Sequence, residues 1–280
     1  MIPSAKSLIL DLLSTLRRGT MPVSALVESG ALFGIAENSL RVALTRLLAG
    51  GQIERDSRGR YRLGVAAQPV GRRATAWRRI ETRHRRWGSA WIGVLERRQG
   101  VGGERRRRDR ALRLLGFRAL TPTLSVRPDN LRGGIDALRV ELGALGLPPG
   151  DLVFELRALD PVTLARARSL WDADTLRAAH RELRVELEDA TRNFDTLPVE
   201  RAMVTSFLLG GRAIRQLVLD PLLPDAIAPG DERRQLLEAM VRYDRLGRAA
   251  WAGLLARFDV PHLGAPADTR MGAAANRLAR

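Results

Sequence analysis

The sequence predicts an α+β protein of several domains, on three observations. Apolar residues recur at helical spacing over residues 1–50 and then give way to two short strand-like runs around a polar turn. The middle of the chain alternates apolar strand-like runs with helical segments, the pattern of a small α/β sandwich. Beyond residue 160 the periodicity is helical throughout. A length of 280 residues suits two or three domains and supports sizeable cores.

The elements follow in order. Ser4 is a helix cap, and Leu8, Ile9, Leu12, Leu13 and Leu16 form one buried stripe that Gly19 ends. Pro22 suits the first position of a second helix, with Val23, Leu26 and Val27 facing inward and Gly30 and Gly34 bounding the turn. A third helix starts near Ala36. Leu40, Ala43, Leu44, Leu47 and Leu48 make its apolar face, while Asn38, Ser39, Arg41, Val42, Thr45 and Arg46 fall largely on the other. Gly50 and Gly51 stop it. Residues 52–55 and 61–63 then predict two strands, with residues 56–60 as a tight polar turn. Three helices followed by a small basic hairpin describe a winged helix-turn-helix over residues 1–66.

That order of elements suits the reading of DNA. A helix set in the major groove presents arginine to guanine edges or to phosphates, which makes Arg41 and Arg46 the strongest candidates. Asn38 suits adenine or a phosphate, Thr45 a phosphate or a thymine methyl, and Ser39 shares their face. The hairpin would lay Arg58 and Arg60 beside the backbone or in the minor groove. Alternatively, the unit is a protein-interaction domain in which Arg41 and Arg46 only solvate a packed helix.

Residues 67–86 read as a linker and a basic amphipathic helix, with Trp77, Ile80, His84 and Trp87 along one side. Residues 87–160 form the sandwich. Trp91, Ile92, Val94 and Leu95 read as a buried strand, residues 105–116 as a helix, residues 123–126 as a second strand, residues 131–145 as a helix and residues 152–156 as a third strand. A fourth strand lies nearby without a clear position. Residues 161–260 form a helical domain. One helix starts at Pro161 and a long one, capped by Asp174, carries Leu176, Ala179, His180, Leu183 and Leu187 on one stripe. Another spans 199–219 with a break at Gly210 and Gly211, and the last spans 231–257. His180 reads as a hydrogen-bonded core residue ahead of a ligand or switch, and Trp77, Trp87 and Trp91 read as core ahead of a platform for stacking on a ligand base. Residues 261–280 read as a flexible tail.

Charge is the unusual feature. The net charge is +16, and of 47 basic residues 46 are arginine, Lys6 being the one lysine. A codon bias explains arginine in place of lysine but not the distribution along the chain. Residues 1–71 hold 9 basic and 5 acidic residues, residues 72–118 hold 16 and 4, and residues 119–280 hold 22 of each. The excess favours a polyanionic partner. Arg105, Arg106, Arg107 and Arg108 have three readings: a solvated helix start, a brace for DNA phosphates, or a seat for an anionic effector such as the phosphates of a coenzyme A moiety. At a helix N-terminus they oppose the macrodipole, an effect that Glu104 and Asp109 offset locally.

Several chemistries are excluded or disfavoured. The absence of cysteine excludes disulfides and thiolate metal sites. His84, His180 and His262 are too scattered for a metal-ligand motif. No cofactor is expected. Glu96 has no paired carboxylate beside it, which disfavours metal-dependent cleavage and, with it, an enzyme. No run of ~18 apolar residues and no apolar leader occur, so neither a membrane span nor a signal peptide is expected, and a cytoplasmic protein is.

Several separated blocks, in a fixed order, carry a resemblance to a known family. They are KSLILDLL, FGIAENSLRVALTRLLAGGQIERDSRGRYRLG, WGSAWIGVLE, LLGFRALTPTLSVRPDNL, the LWD at residues 170–172, and FLLGGRAIRQLVLDPLLPDAI at residues 207–227. Together they resemble the PaaX-type transcriptional regulators of phenylacetic acid degradation over roughly residues 5–255. The resemblance implies a dimeric bacterial repressor with an N-terminal winged helix, a central ferredoxin-like domain and a C-terminal helical domain for effector binding or dimerisation. It implies double-stranded operator DNA as partner, nucleoid association when bound, and release by an aryl- or acyl-coenzyme A such as phenylacetyl-coenzyme A. It places Ser39, Arg41, Thr45 and Arg46 on the DNA-contacting helix and residues 55–62 on the wing. A same-architecture activator or repressor sensing another small molecule, and an adaptor that binds no DNA, are the alternatives.

Overall fold

The computed structural model describes residues 2–16, 19–56, 58–67, 71, 76–97 and 102–261. The expected tail, all but Pro261, lies outside them, as do His262, Ser57 in the hairpin turn and much of the expected linker. The fold is α+β. Its chain divides into two compact units that do not follow chain order. The first comprises residues 1–68, 196–208 and 244–280, and the second residues 69–195 and 209–243. Segments that the sequence assigns to one helical domain therefore contribute to both units.

The first unit starts with α1 (Ala5–Ser14), capped as expected by the Ser4 hydroxyl, which accepts from the Ser7 amide. A two-residue strand β1 (Met21–Pro22) precedes α2 (Val23–Leu32). Pro22 thus sits at the N-cap of α2 with an extended ψ of 157°, one place earlier than expected. Helix α3 spans Glu37–Ala49, followed by β2 (Ile53–Arg55) and β3 (Arg60–Leu63). The three strands pair antiparallel in the order β1-β3-β2. Gly34 takes φ +71°, which lets the chain leave α2 and enter α3 within a few residues. At Gly30 a Cβ would stand 2.7 Å from Leu40 Cδ1, so glycine there permits the close approach of α2 and α3.

The core of this unit joins the stripe Leu8, Ile9, Leu12 and Leu13 to Leu26, Leu40, Leu44, Leu47 and Ile53. Residues distant in sequence complete it: Met203, Trp251, Leu254, Leu255 and Val260. Phe33 meets Phe207 edge-on at 5.1 Å and stacks on Trp251 at 6.5 Å. The Trp251 indole N–H donates to the Met203 carbonyl at 3.0 Å.

In the second unit, residues 76–83 form a 3₁₀ helix, irregular at Arg79, rather than the expected α-helix. Trp77 and Ile80 are buried on it, while His84 and Trp87 lie beyond its end. Then come β4 (Trp91–Leu95), α4 (Gly103–Leu114), β5 (Arg118–Ala119), β6 (Leu124–Pro128), α5 (Gly134–Ala144) and β7 (Leu152–Leu156). The sheet is antiparallel in the order β5-β6-β4-β7, so the strand left unplaced by sequence is the two-residue β5. Helix α6 (Pro161–Arg168) is capped by Asp160, and α7 (Ala173–Arg192) by Asp172 rather than Asp174. The Asp172 carboxylate accepts from the Thr175 amide, and that contact holds it below the usual carboxylate range.

Helix α8 (Val199–Val218) runs unbroken through Gly210 and Gly211, and α9 spans Asp231–Ala256. The expected break is absent because Gly210 lies against Met240, where a small residue lets helices approach. His180 is buried as expected, its Nε2 3.1 Å from Asp220 Oδ2. Burial opposes ionisation of Asp220, but His180 and Arg233 outweigh it and hold the carboxyl below its usual range. Among the described residues no helix is long and apolar enough to cross a membrane.

Candidate nucleic-acid interface

Helix α3 separates its faces cleanly. Leu40, Leu44 and Leu47 are buried, whereas Asn38, Ser39, Arg41, Val42, Thr45 and Arg46 are all exposed. Periods of three and four residues place these six side chains along one outer surface. Glu37 in the first turn and Arg46 in the last complement the helix dipole. Arg41 pairs with Glu37 at 2.7 Å, but both side chains are more than half exposed, so water screens the pair and a stronger anion displaces Glu37 at small cost. Arg46 has no ion pair among the described residues. Thr45, exposed, donates its Oγ1 hydrogen back to the Arg41 carbonyl at 3.1 Å, and its hydroxyl oxygen keeps the capacity to accept.

A cleft of about 440 Å³ opens beside this surface, lined by Ser4, Ala5 and Lys6 at the start of α1 and by Ser39, Val42, Arg46 and Gln52. Lys6, Val42 and Gln52 thus join the candidate residues. Val42 was legible as an outward position, and its 43% exposure gives an apolar contact among polar ones. That Lys6 and Gln52 share a cleft with Arg46 follows only from the packing of α1 against α3.

The hairpin turn is set by Asp56, whose carboxylate accepts from the amides of Arg58 and Arg60 at 2.9 and 2.8 Å. Arg58 is exposed at its tip. Arg60 is a correction to the expected site. Its guanidinium, half-buried, donates to Thr20 Oγ1 at 2.9 Å and to the carbonyls of Thr20 and Asp259 at 3.0 Å each, so these bonds engage it in clamping the hairpin. The nearby exposed cations are Arg55, beside the Tyr61 ring, and Arg62, paired with Glu54 at 3.0 Å.

The run at the start of α4 divides. Arg108 is buried and binds Asp151, with Nε to Oδ2 at 2.6 Å, and Glu96. Burial opposes its charge, yet those carboxylates outweigh burial and raise its pKa further. Arg108 therefore holds the second unit together and is unavailable to a phosphate or effector, a second correction. Arg105 lies 4.0 Å from Asp109, and the Arg107 stem runs beside Gly146. Among the described residues no group of three or more histidines and carboxylates is placed to hold a metal ion.

In the solved structures, the uncharacterized protein Rv0674 from Mycobacterium tuberculosis superposes with a TM-score of 0.54 at 24% identity, over 88% of this chain and 98% of that one. At that identity the likeness concerns the fold alone. No curated protein matches the chain. Residues 4–66, which hold α1 to α3 and the hairpin, match the family model described as PaaX-like protein.

Proposed function

We propose that the three helices and hairpin of the first unit are a winged helix-turn-helix that reads duplex DNA, with α3 in the major groove and the hairpin as wing. The observation that carries this is the outer face of α3: six exposed side chains able to bond bases or phosphates or to touch a thymine methyl, on a helix whose opposite face is sunk in the core. Arg41 and Arg46 bind guanine edges or phosphates, Asn38, Ser39 and Thr45 add polar contacts, and Arg58 reaches the backbone from the hairpin.

The central sheet supports a ferredoxin-like reading. Numbered from β4, its strands run strand–helix–strand–strand–helix–strand and lie in the order 2-3-1-4, all antiparallel. On the PaaX-like match, the protein is a homodimeric transcriptional repressor of a catabolic operon, released by an aryl- or acyl-coenzyme A such as phenylacetyl-coenzyme A. Release requires that the effector bind the DNA-free state more tightly than the DNA-bound one.

Selection from random-sequence duplexes tests the reading. The wild type should enrich an inverted repeat with half-sites about one helical turn apart, or a multiple of it. Arg41→Ala with Arg46→Ala should enrich none. Equal enrichment by both proteins overturns the role of α3. Phenylacetyl-coenzyme A should weaken binding to the enriched duplex, and unchanged binding removes it as effector.

A further inference from the structure

Helix α4 carries six arginines in twelve residues, GERRRRDRALRL. The fold accounts for three of them. Arg108 is buried between two carboxylates, Arg105 stands by Asp109, and Arg107 lays its stem beside Gly146. Arg106, Arg110 and Arg113 remain, all exposed. Their spacing of four and three residues sets them on one face, along about 10 Å of helix at 1.5 Å per residue. No ion pair reaches any of them among the described residues. Like charges at this spacing destabilise a helix, and Arg106 also faces the positive end of the macrodipole. Arg113, in the last turn, complements the dipole, but among the described residues no acidic side chain offsets the repulsion among the three.

We infer that the Arg106, Arg110 and Arg113 stripe is a second DNA-binding surface, in the second unit, that grips the phosphate backbone without reading sequence. The inference rests on the DNA-reader function proposed above but concerns different residues. Two features favour duplex DNA over a protein or a membrane. The exposed large apolar residues lie outside α4, so the helix itself offers cations without an apolar side chain of the kind that anchors a protein hot spot or a bilayer contact. Interfaces with DNA, by contrast, are polar and strongly positive, and phosphate contacts need only cations in register with a line of negative charge. Arginine suits phosphate through its planar fork.

The test uses the full-length protein and a random-sequence duplex of about 40 base pairs, with affinity measured across a range of salt concentrations. Three proteins are compared: wild type, Arg106→Gln with Arg110→Gln and Arg113→Gln, and Arg41→Ala with Arg46→Ala. Each phosphate contact contributes about 0.9 to the slope of log K against log salt, so the triple glutamine variant should flatten the slope by about 2–3 and bind at least ~10-fold more weakly at low salt. Its thermal midpoint should equal or exceed that of the wild type, because three repelling charges are gone from an exposed face. An unchanged slope in the triple variant, with the α3 variant weakened, overturns this inference and leaves the α3 reading intact. A flattened slope in the triple variant supports the stripe, and the reader is judged separately, by whether Arg41→Ala with Arg46→Ala loses its preference for the selected duplex. No binding by the wild type overturns both.

Discussion

Helices α3 and α4 both display arginine to solvent, yet they do so on different terms. In α3 the arginines stand on the polar side of a sharply two-faced helix, one beside an acidic partner and one in the last turn, where the dipole favours it. In α4 the arginines crowd the first turns, where the dipole opposes them, and the buried Arg108 fastens the helix to β7's approach through Asp151. The lesson is that an arginine's function follows from what surrounds its guanidinium. Arg60, Arg108 and Arg233 are engaged by the fold, while Arg41, Arg46, Arg106, Arg110 and Arg113 stand exposed, and it is to these that a binding role is proposed.

That division is open to attack by substitution, and the largest effect belongs to the buried class. Arg108→Ala leaves Asp151, 2% exposed, beside no guanidinium, and should lower unfolding stability by ~3–5 kcal/mol in chemical denaturation. A loss no greater than that of Arg106→Gln would erase the distinction between the two classes.

Arg233 belongs with Arg108. Burial opposes its charge, but Asp220 and Glu81 outweigh burial and raise its pKa. Asp220 is held below its ordinary value of 3.8, so its contribution to stability is complete above about pH 4 and disappears as pH falls through the lowered value. Acid titration of the unfolding midpoint should therefore steepen below pH ~4, and Asp220→Asn should make the acid limb shallower. Identical acid limbs in the two proteins would detach Asp220 from the acid sensitivity of the fold.

Arg60→Ala removes a charge-assisted clamp and should cost ~1.5–3 kcal/mol, since hydrogen bonds to charged groups lie in that range. A variant of full stability but weakened DNA affinity would return Arg60 to the interface. The smallest effect on stability is expected at the outer face of α3, where Arg41→Ala and Arg46→Ala should each change it by no more than ~0.5 kcal/mol.

The same contrast explains what the sequence could convey. The outward set on α3 was legible because a helix 13 residues long repeats its apolar stripe several times, which fixes the polar side by elimination. The fate of Arg60 was not, because its carbonyl partner Asp259 lies 199 positions away. Arg108 meets Asp151 across 43 residues, and nothing in RRRR separates the buried arginine from its exposed neighbours. Strands β1 and β5 have two residues each, too few for an alternation to register. Gly210 and Gly211 suggested a break because glycine is a poor helix former, but packing of α8 onto α9 overrides that preference. The core of the first unit was only half visible, since Met203, Trp251 and Leu254 reach it from the far end of the chain.

The central claim is that the outer face of α3 reads bases. The ratio of affinities for the selected duplex and for a scrambled one of equal length, at fixed salt, tests it most directly. The wild type should prefer the selected duplex by at least ~10³-fold. In Arg41→Ala with Arg46→Ala that ratio should collapse toward one, while binding to the scrambled duplex persists. A ratio that the substitutions leave unchanged would contradict the account.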